Sequence, residues 1–465
     1  MKTINPKYTI IILITTFILI GLGVFFLNTA IIGLLFGSVL SVIFCLKSGF
    51  SLKESLTMIL MGVKNAKIIV MIMSLIGVLS ALWMASGTMA SLMDFGFSHL
   101  LSFNLVLSIF IITGVFSLIL GTSIGTLSVL GVPFMEIGTT LGIPAGIIGG
   151  ALVSGIYVGD RISPISSSLN LNASMTGTLV IDNIKAGMKT IGPVILLSAL
   201  LYGFIGRGYD VGNTHVEKIS VIRDLLDSSF SLGFINLLPV LVLTLLALMK
   251  VKIVYGMIVS IITTILLLLL NGTVGLPELF RIMVVGFHPE SGELHSVISG
   301  GGFLSMTNVI FVILFSTGFS GILEHSGGIK PLIRSFSNMV KTSGQLTGKT
   351  SLLAFSINVV TCNQSLAIII PGRFLTETFE EKGLTRLNLS RTLGDTSVVT
   401  VPLIPWNVNA IAIVSIIGIS TFSYLPYAFL CLLLPLYNII HEFFQQKNIK
   451  DELKEPKGTE VFESS

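Results

Sequence analysis

The chain has 465 residues, of which 52% are hydrophobic and only 11% are charged. Because soluble domains usually carry about 25% charged residues, this composition excludes a soluble enzyme and predicts a chain whose surface mostly faces lipid. The formal net charge of +4 gives no reason to expect a nucleic-acid partner, because the Lys and Arg residues fall in short loops between apolar runs.

Apolar runs of spanning length follow one another along the chain. They predict an all-α polytopic membrane protein with about 11–12 transmembrane segments. The first run follows two lysines but is too long for a signal peptide, so we expect an uncleaved first span. The runs lie near 9–27, 29–46, 67–87, 103–120, 143–158, 188–206, 231–249, 252–270, 303–323, 350–370, 396–418 and 424–441.

Three of the apolar regions contain polar or proline-rich breaks. Segment 121–142 is too polar and glycine-rich for a plain span, and the run at 350–370 is interrupted by Thr361 to Ser365. The run at 396–418 is interrupted by two prolines, Trp406 and Asn407. Because unpaired backbone groups cannot face lipid, these breaks predict broken helices and re-entrant hairpins that line an enclosed cavity.

The loop charges predict the orientation in the membrane. Lys and Arg cluster at 47–67, 185–189, 250–252 and 330–349, whereas 88–102 and 271–302 are poor in basic residues. The positive-inside rule then places both termini in the cytoplasm, and we expect the cytoplasmic (inner) membrane of a bacterium. Segment 373–395 is also basic, so the run at 350–370 must return to the side from which it entered, or form two half-spans.

Two Gly-Asp pairs, Gly159-Asp160 and Gly394-Asp395, each follow one of the polar breaks by a similar interval. Matching interruptions in two halves predict a transporter built from two inverted structural repeats. The first repeat would cover 1–206 and the second 231–441. The connection 207–230 would carry one short surface helix, and 442–465 would form a solvated cytoplasmic tail.

Asp160 is the first candidate for chemistry. A carboxylate in such apolar surroundings is more often an ion or proton carrier than a structural group. The next residue, Arg161, has three interpretations. It could pair with Asp160, bind an anionic group of a substrate, or form a structural ion pair at a helix end. Asp395 is the counterpart of Asp160 in the second half.

Hydroxyl and amide side chains near the aspartates could bind a cation that has lost its water. The alternatives are helix capping, turn formation and close packing of small residues, and for Trp406 an anchor at the membrane interface. The candidate substrate- or ion-binding residues besides the aspartates are Thr122, Ser123, Ser163, Ser167, Asn170, Asn363, Gln364, Thr396, Trp406 and Asn407.

The sequence indicates no cofactor and no metal other than a transported cation. Its three cysteines form no CxxC pair, and its six histidines lack the spacing of metal ligands. The expected partners are membrane lipid and a small ion or small-molecule substrate. The oligomeric state stays open, with a homodimer as one option.

Two blocks carry a family resemblance: GTSIGTLSVLG through YVGDRISPISSSLNLNASMTGT, and TCNQSLAIIIPGRF through RTLGDTSVVTVPLIPWN. In their order and spacing the chain resembles the NhaC family of sodium/proton antiporters. The resemblance implies a secondary antiporter with inverted repeats and discontinuous helices that exchanges sodium, or in some members organic acids, for protons. Ser167, Asn363 and Gly394 stand where acids are common in the family, which puts sodium coupling in doubt.

The leading functional hypothesis is therefore an NhaC-type antiporter that exchanges Na+, an organic substrate, or both against H+. A proton- or sodium-coupled carrier of amino acids or organic acids such as malate and lactate is the alternative within transport. A third hypothesis, from another class, is an intramembrane aspartyl protease with Asp160 and Asp395 as its acid/base pair. A passive channel is a fourth, but it would not need acids in two pseudo-symmetric halves.

Overall fold

The computed structural model describes residues 3–27, 31–99, 104–209, 221, 223–230, 232–249, 251–272, 274–290, 294–295, 298–327 and 343–452. Within these ranges the regular structure is helical, apart from one isolated antiparallel bridge, which confirms the predicted all-α class. The helices of the first part are α1 (Pro6–Leu27), α2 (Ile31–Lys47), α3 (Leu52–Asn65), α4 (Lys67–Ala85), α5 (Thr88–His99), α6 (Leu105–Leu120), α7 (Ser123–Thr140), α8 (Ala145–Ile162), α9 (Ser167–Thr176) and α10 (Val180–Arg207). The later helices are α11 (Arg223–Ser229), α12 (Leu238–Leu248), α13 (Ile253–Leu270), α14 (Leu276–Val285), α15 (Thr307–His325), α16 (Ser343–Thr361), α17 (Gln364–Glu381), α18 (Arg386–Leu393), α19 (Val408–Ile417), α20 (Thr421–Tyr424) and α21 (Phe429–Glu452).

Several helices are long and apolar enough to cross a membrane, which confirms a polytopic membrane protein. Five described helices meet this test by length and composition, or up to eight if each of three bent pairs forms one span. Three shorter apolar stretches follow the same pattern: Lys7–Gly23 of α1, and the whole of α2 and α6. The predicted total of 11–12 segments and the inverted relation of the two halves stay predictions.

Helix α8 lies at the centre of the protein, and nearly all of its residues are buried. Gly155 and Gly159, four residues apart, allow its backbone to approach α6 closely, because a Cβ at either position would collide with Thr113 or Ser117. The backbone N–H of Gly159 donates to Ser117 Oγ at 3.1 Å. This close contact holds the end of α8, and with it Asp160, in a fixed place against α6.

Small residues bring other helices together in the same way. Gly62 of α3 and Gly321 of α15 face each other, and a Cβ on Gly321 would come within 2.7 Å of the Gly62 backbone. Gly33 and Gly37 of α2 lie against the N-terminal helix, where Ile20 and Thr16 occupy the space that a side chain would need. The protein thus packs its helices by backbone approach, as is typical inside membranes.

Two of the predicted breaks are present between helices. α6 ends at Gly121, whose φ of +66° places it in the left-handed region, and α7 begins after Thr122. α16 ends before Cys362, whose φ of +55° is the only positive value at a non-glycine residue in the described part, and α17 begins after Asn363. Since non-glycine residues adopt this region at an energetic cost, the surrounding structure must impose the second break.

The third predicted break is spread over a longer segment. After α18, residues Gly394–Val398 form a π-helical turn, Val401–Leu403 form a 3-10 turn, and α19 begins after Asn407. The helical stretches on either side of Asn407, Arg386–Leu403 and Val408–Ile417, are bent by 50° relative to each other. The buried Asn358 of α16 supports this segment. Its side-chain Nδ2 donates to the backbone carbonyl of Ser397 at 2.8 Å, and its backbone carbonyl accepts from Asn407 Nδ2 at 3.3 Å.

The sequence pattern missed helices in segments that were interpreted as loops. α3 occupies most of the basic loop 47–67, where Ser51 and Glu54 form a capping box, and α5 occupies most of 88–102. α11 is the predicted surface helix of the 207–230 connection. α21 continues to Glu452 into the predicted tail. The rest of the tail, 453–465, and segments 210–220 and 328–342 lie outside the described residues.

Candidate functional site

Asp160 lies in the last turn of α8 and is only 4% exposed. Ser166 Oγ donates to its Oδ1 at 2.9 Å, and Ser123 Oγ, at the start of α7, lies 3.4 Å from its Oδ2. The side chains of Ser168 and Gln364 also interact with this carboxylate. Three segments that each follow a break between helices therefore converge on one buried acid, and they surround it with hydroxyl and amide groups.

Arg161 pairs with Asp395, not with Asp160. Its Nε donates to Asp395 Oδ1 at 2.7 Å, and both side chains are almost completely buried. Adjacent residues on a helix point about 100° apart, so Asp160 and Arg161 cannot face each other on α8. Of the interpretations left open from the sequence, the pair with Asp160 is absent from the described structure: the arginine forms an ion pair that joins the two parts of the chain and leaves Asp160 to the hydroxyl groups.

Asp395 is held from several sides. Its second oxygen accepts from Thr190 Oγ1 of α10 at 2.7 Å. Gly394 and Gly187 make room for the guanidinium of Arg161, because a Cβ on either would come within 2.5 Å and 2.9 Å of it, respectively. The glycine at the family's usual acidic position thus has a steric role here. Asp395 belongs to a buried ion pair next to the candidate site.

Asp160 and Asp395 do not form an acid pair. In the described part of the chain, Asp160 contacts Ser123 and Ser166, whereas Asp395 contacts Arg161 and Thr190, and no hydrogen bond joins the two carboxylates. A protease of the aspartyl type needs two acids that share a proton. The geometry gives that hypothesis no support.

A second buried ion pair lies beside the first, and the sequence analysis missed it. Arg391 of α18 donates to Glu442 of α21, and its Nε donates to Asn438 Oδ1 at 3.3 Å. The carbonyl of Arg391 also accepts from Arg161 at 3.5 Å. Glu442 directly follows an apolar run and could have been selected by the same rule as Asp160, whereas Arg391 lies in a basic segment and gave no such signal.

The predicted polar residues after Asp160 have mostly structural contacts. Ser163 Oγ donates to the carbonyl of Leu118 at 2.7 Å, which fastens the end of α8 to α6. Asn170 donates to Pro164 and Ser166 carbonyls within its own turn. Ser167 is exposed, whereas its neighbours Ser166 and Ser168 interact with the carboxylate. These positions therefore shape the turn that carries Ser166.

The predicted residues at the other helix breaks also have mostly structural contacts. Thr122 caps α7 by accepting from Gly125 at 3.4 Å, and Asn363 caps α17 by accepting from Ser365 at 2.9 Å. Trp406 Nε1 donates to the carbonyl of Val359 at 2.8 Å, and its ring contacts Phe17 edge-on. The buried Thr396 has an Oγ1 without a hydrogen-bond partner in the described part. None of these contacts reaches Asp160.

Gln364 connects the buried acid to a cavity of about 300 Å³, which we name the Gln364 cavity. Gln364 Nε2 donates to Ser168 Oγ at 3.1 Å, and its Oε1 accepts from Asn409 at 2.6 Å. The walls combine residues of the second and third breaks with residues of three helices, α3, α4 and α15, that the sequence did not link to the site. The lining residues are Gly62, Ile69, Thr317, Ser320, Gly321, Glu324, Cys362, Asn363, Gln364, Ser365, Leu366, Ile369, Asn407, Val408 and Asn409.

A larger cavity of about 710 Å³ contains Glu136 of α7, and we name it the Glu136 cavity. Helix α15 runs from one cavity to the other: Asn308 near its start lines the Glu136 cavity, and Glu324 near its end lines the Gln364 cavity. α19 also lies between the two cavities, because its Asn409 lines the Gln364 cavity and its Ser415 lines the Glu136 cavity. The two cavities therefore lie at opposite ends of the same helix.

Comparison with known proteins identifies the family to which the chain is similar. The profile of the Na+/H+ antiporter family matches residues 155–444. The Na(+)/H(+) antiporter NhaC of Alkalihalophilus pseudofirmus is 31% identical over 374 residues, which cover 80% of each chain. The Malate-2H(+)/Na(+)-lactate antiporter of Bacillus subtilis is 29% identical over 83% of each chain. The Arginine/ornithine antiporter ArcD of Halobacterium salinarum is 28% identical over 82% of this chain and 80% of its own.

The matched region starts within α8, just before Asp160, and it contains the Arg161–Asp395 pair and the lining residues of the Gln364 cavity other than Gly62 and Ile69. The resemblance that the two Gly-Asp blocks indicated is thereby confirmed. The chain belongs to the Na+/H+ antiporter family.

Proposed function

We propose that this protein is a secondary antiporter of the NhaC type that exchanges Na+ against H+, with Asp160 as the group that binds the two ions in turn. The proposal rests on one observation above all: a fully enclosed carboxylate surrounded by hydroxyl and amide groups, while the adjacent arginine pairs elsewhere. Such an acid can be neutralised either by a proton or by a cation, and binding of one excludes the other.

The ligands for a cation are within reach of Asp160. Ser123 and Ser166 offer hydroxyl oxygens beside the carboxylate, while Gln364 directs its amide nitrogen to Ser168 and its carbonyl oxygen to Asn409. Hard cations prefer oxygen ligands of this kind. The loss of acids at Ser167 and Asn363 matters less than the sequence indicated, since Ser167 is exposed and Asn363 caps a helix.

Access to Asp160 would alternate between the two cavities. The Gln364 cavity lies at the end of α15, which leads towards the basic segment 330–349, so we assign it to the cytoplasm. The Glu136 cavity lies at the other end, beside the basic-poor 271–302, and we assign it to the outside. Both termini then lie in the cytoplasm of a bacterium, as the loop charges indicate. Opening one cavity towards Asp160 while closing the other would move one ion across.

An organic acid is the second candidate substrate, because one relative is named as a malate and lactate antiporter. Amide groups of Asn363 and Asn409 could donate to a carboxylate in the Gln364 cavity. Among the described residues, the lining of that cavity includes one acid, Glu324, and no lysine or arginine. A carboxylate substrate would therefore meet a like charge, which favours a cation.

Proteoliposomes with a pH-sensitive dye inside test the proposal. With an imposed proton gradient, addition of Na+ should dissipate the gradient in vesicles with the wild-type protein. Asp160→Asn should abolish this response, and Asp224→Asn, on the exposed surface of α11, should retain it. If Asp160→Asn keeps the response with the same sodium dependence, Asp160 does not carry the exchange. If malate or lactate acts and Na+ does not, the second candidate substrate is correct.

A further inference from the structure

Glu136 is a carboxyl residue to which the proposed exchange assigns no role, although the cavity that it lines serves there as the outer access route. It lies on α7, the helix whose first residue contacts Asp160, but at a rise of about 1.5 Å per residue it is roughly 20 Å further along the axis. Its side chain is half-buried, and it has no hydrogen-bond or ion-pair partner among the described residues. Every other described residue that lines its cavity is uncharged, so a single carboxyl group faces a large cavity.

The size of the Glu136 cavity does not fit a bare ion. At about 710 Å³ it lies within the range of pockets for small organic ligands, roughly 300–1,000 Å³. A desolvated metal cation needs several oxygen ligands at short distance around it. Here one carboxylate faces walls that are largely apolar.

The walls instead suit a molecule with an apolar body. Met84, Met135 and Met306 line the cavity together with Phe422, and methionine adapts its shape to irregular apolar partners. Asn308, Ser305 and Ser415 add a few polar groups at the same surface. The carboxylate of Glu136 would attract a cationic group, and the apolar walls around it would hold the apolar body of the same ligand.

From this arrangement we infer that the Glu136 cavity is a second binding site, which takes an amphipathic organic cation, a protonated amine on an apolar body. The carboxylate of Glu136 pairs with the ammonium group, and the methionines and Phe422 enclose the body. This site is distinct from the Asp160 site and does not depend on which ion the protein exchanges, although a bound amine would stand in the proposed outer route to Asp160.

Isothermal titration calorimetry on the full-length protein in nanodiscs of zwitterionic lipid tests the inference, with empty nanodiscs as the background. The probe is cyclohexylmethylammonium, and cyclohexylmethanol is its neutral counterpart of the same shape. The wild-type protein should bind the amine saturably and should not bind the alcohol saturably. Saturable binding of both, or of neither, would overturn the inference.

Variants locate the site. Glu136→Gln should weaken amine binding about tenfold or more, as expected for the loss of a charged hydrogen-bond partner. Ser415→Phe narrows the cavity and leaves the carboxylate in place, so it should also weaken binding. Glu324→Gln, the same change in the Gln364 cavity, should leave amine binding as in the wild type. Unchanged binding by Glu136→Gln, or an equal loss by Glu324→Gln, would refute the assignment.

A failure of this inference can be told apart from a failure of the proposed function. Amine binding is measured without any gradient, and Asp160→Asn should retain it even though exchange is abolished. If Asp160→Asn also loses amine binding while its melting temperature stays at the wild-type value, the amine binds at the Asp160 site and the inference is wrong.

Discussion

Neutralising Asp395 should damage the protein in a different way from neutralising Asp160, although both acids are buried. In Asp395→Asn the Arg161 guanidinium loses its only carboxylate partner in the described structure and retains the carbonyl of Arg391, 3.5 Å from its Nη2. The arginine is 1% exposed, so water cannot replace the lost partner. We therefore expect Asp395→Asn to unfold more readily than the wild type.

The size of the effect follows from the burial of the pair. Removing one partner of a buried ion pair typically costs about 3–5 kcal/mol, because a charge is left uncompensated. Total stabilities are about 5–15 kcal/mol, so the loss would be a large fraction of the whole. Replacing both partners by residues of similar volume is often neutral. Arg161→Met combined with Asp395→Asn should therefore recover most of the stability.

The measurement is thermal unfolding of purified protein in detergent, followed by the fluorescence of the two tryptophans. The order of melting temperatures should be wild type, then the double variant, then Asp395→Asn. Asp160→Asn is the matched control, because its partners Ser123 and Ser166 can also hydrogen-bond an amide, and it should melt close to the wild type. The reasoning fails if Asp395→Asn melts with Asp160→Asn, or if the double variant is no more stable than the single one.

Three further changes test the local geometry. Ser166→Ala removes the 2.9 Å hydrogen bond to Asp160 and should weaken the apparent Na+ affinity about tenfold in the vesicle assay; an unchanged affinity would exclude Ser166 from the site. Asn358→Leu removes the bond to the Ser397 carbonyl and should destabilise the protein by about 1–3 kcal/mol, so an unshifted melting temperature would contradict that support. Gly394→Ala places a Cβ against the Arg161 guanidinium and should cost about 1–3 kcal/mol, whereas Gly192→Ala in α10, where no heavy atom lies within 4 Å of the added Cβ, should be far milder.

The breaks in the helices could be predicted from the sequence, because their cause is local. Glycine in a left-handed conformation at Gly121, prolines and asparagine near 402–407, and polar residues in an apolar run all act within a few residues. Buried acids could be found for the same reason, since a charge in an apolar segment is visible in one line of sequence. The environment of Asp160 followed from these two local signals.

The partners across the chain could not be predicted, because they depend on how distant helices pack. The sequence places Arg161 beside Asp160, but its ion pair joins it to Asp395 far along the chain. The polar residues after Asp160 looked equivalent, and only the turn geometry separates the inward Ser166 from the exposed Ser167. Glu136 carried the same signal as Asp160 and was overlooked because it lies outside the Gly-Asp pattern.

Helix α15 is part of the wall of both cavities, and this has a thermodynamic consequence. A molecule that displaces the helix from one end must alter the affinity for whatever occupies the other end. Equilibrium binding makes such an influence reciprocal, so an amine near Asn308 and an ion beside Glu324 would change each other's dissociation constants by the same factor. Helix α15 would thus couple ligand binding in the Glu136 cavity to ligand binding in the Gln364 cavity.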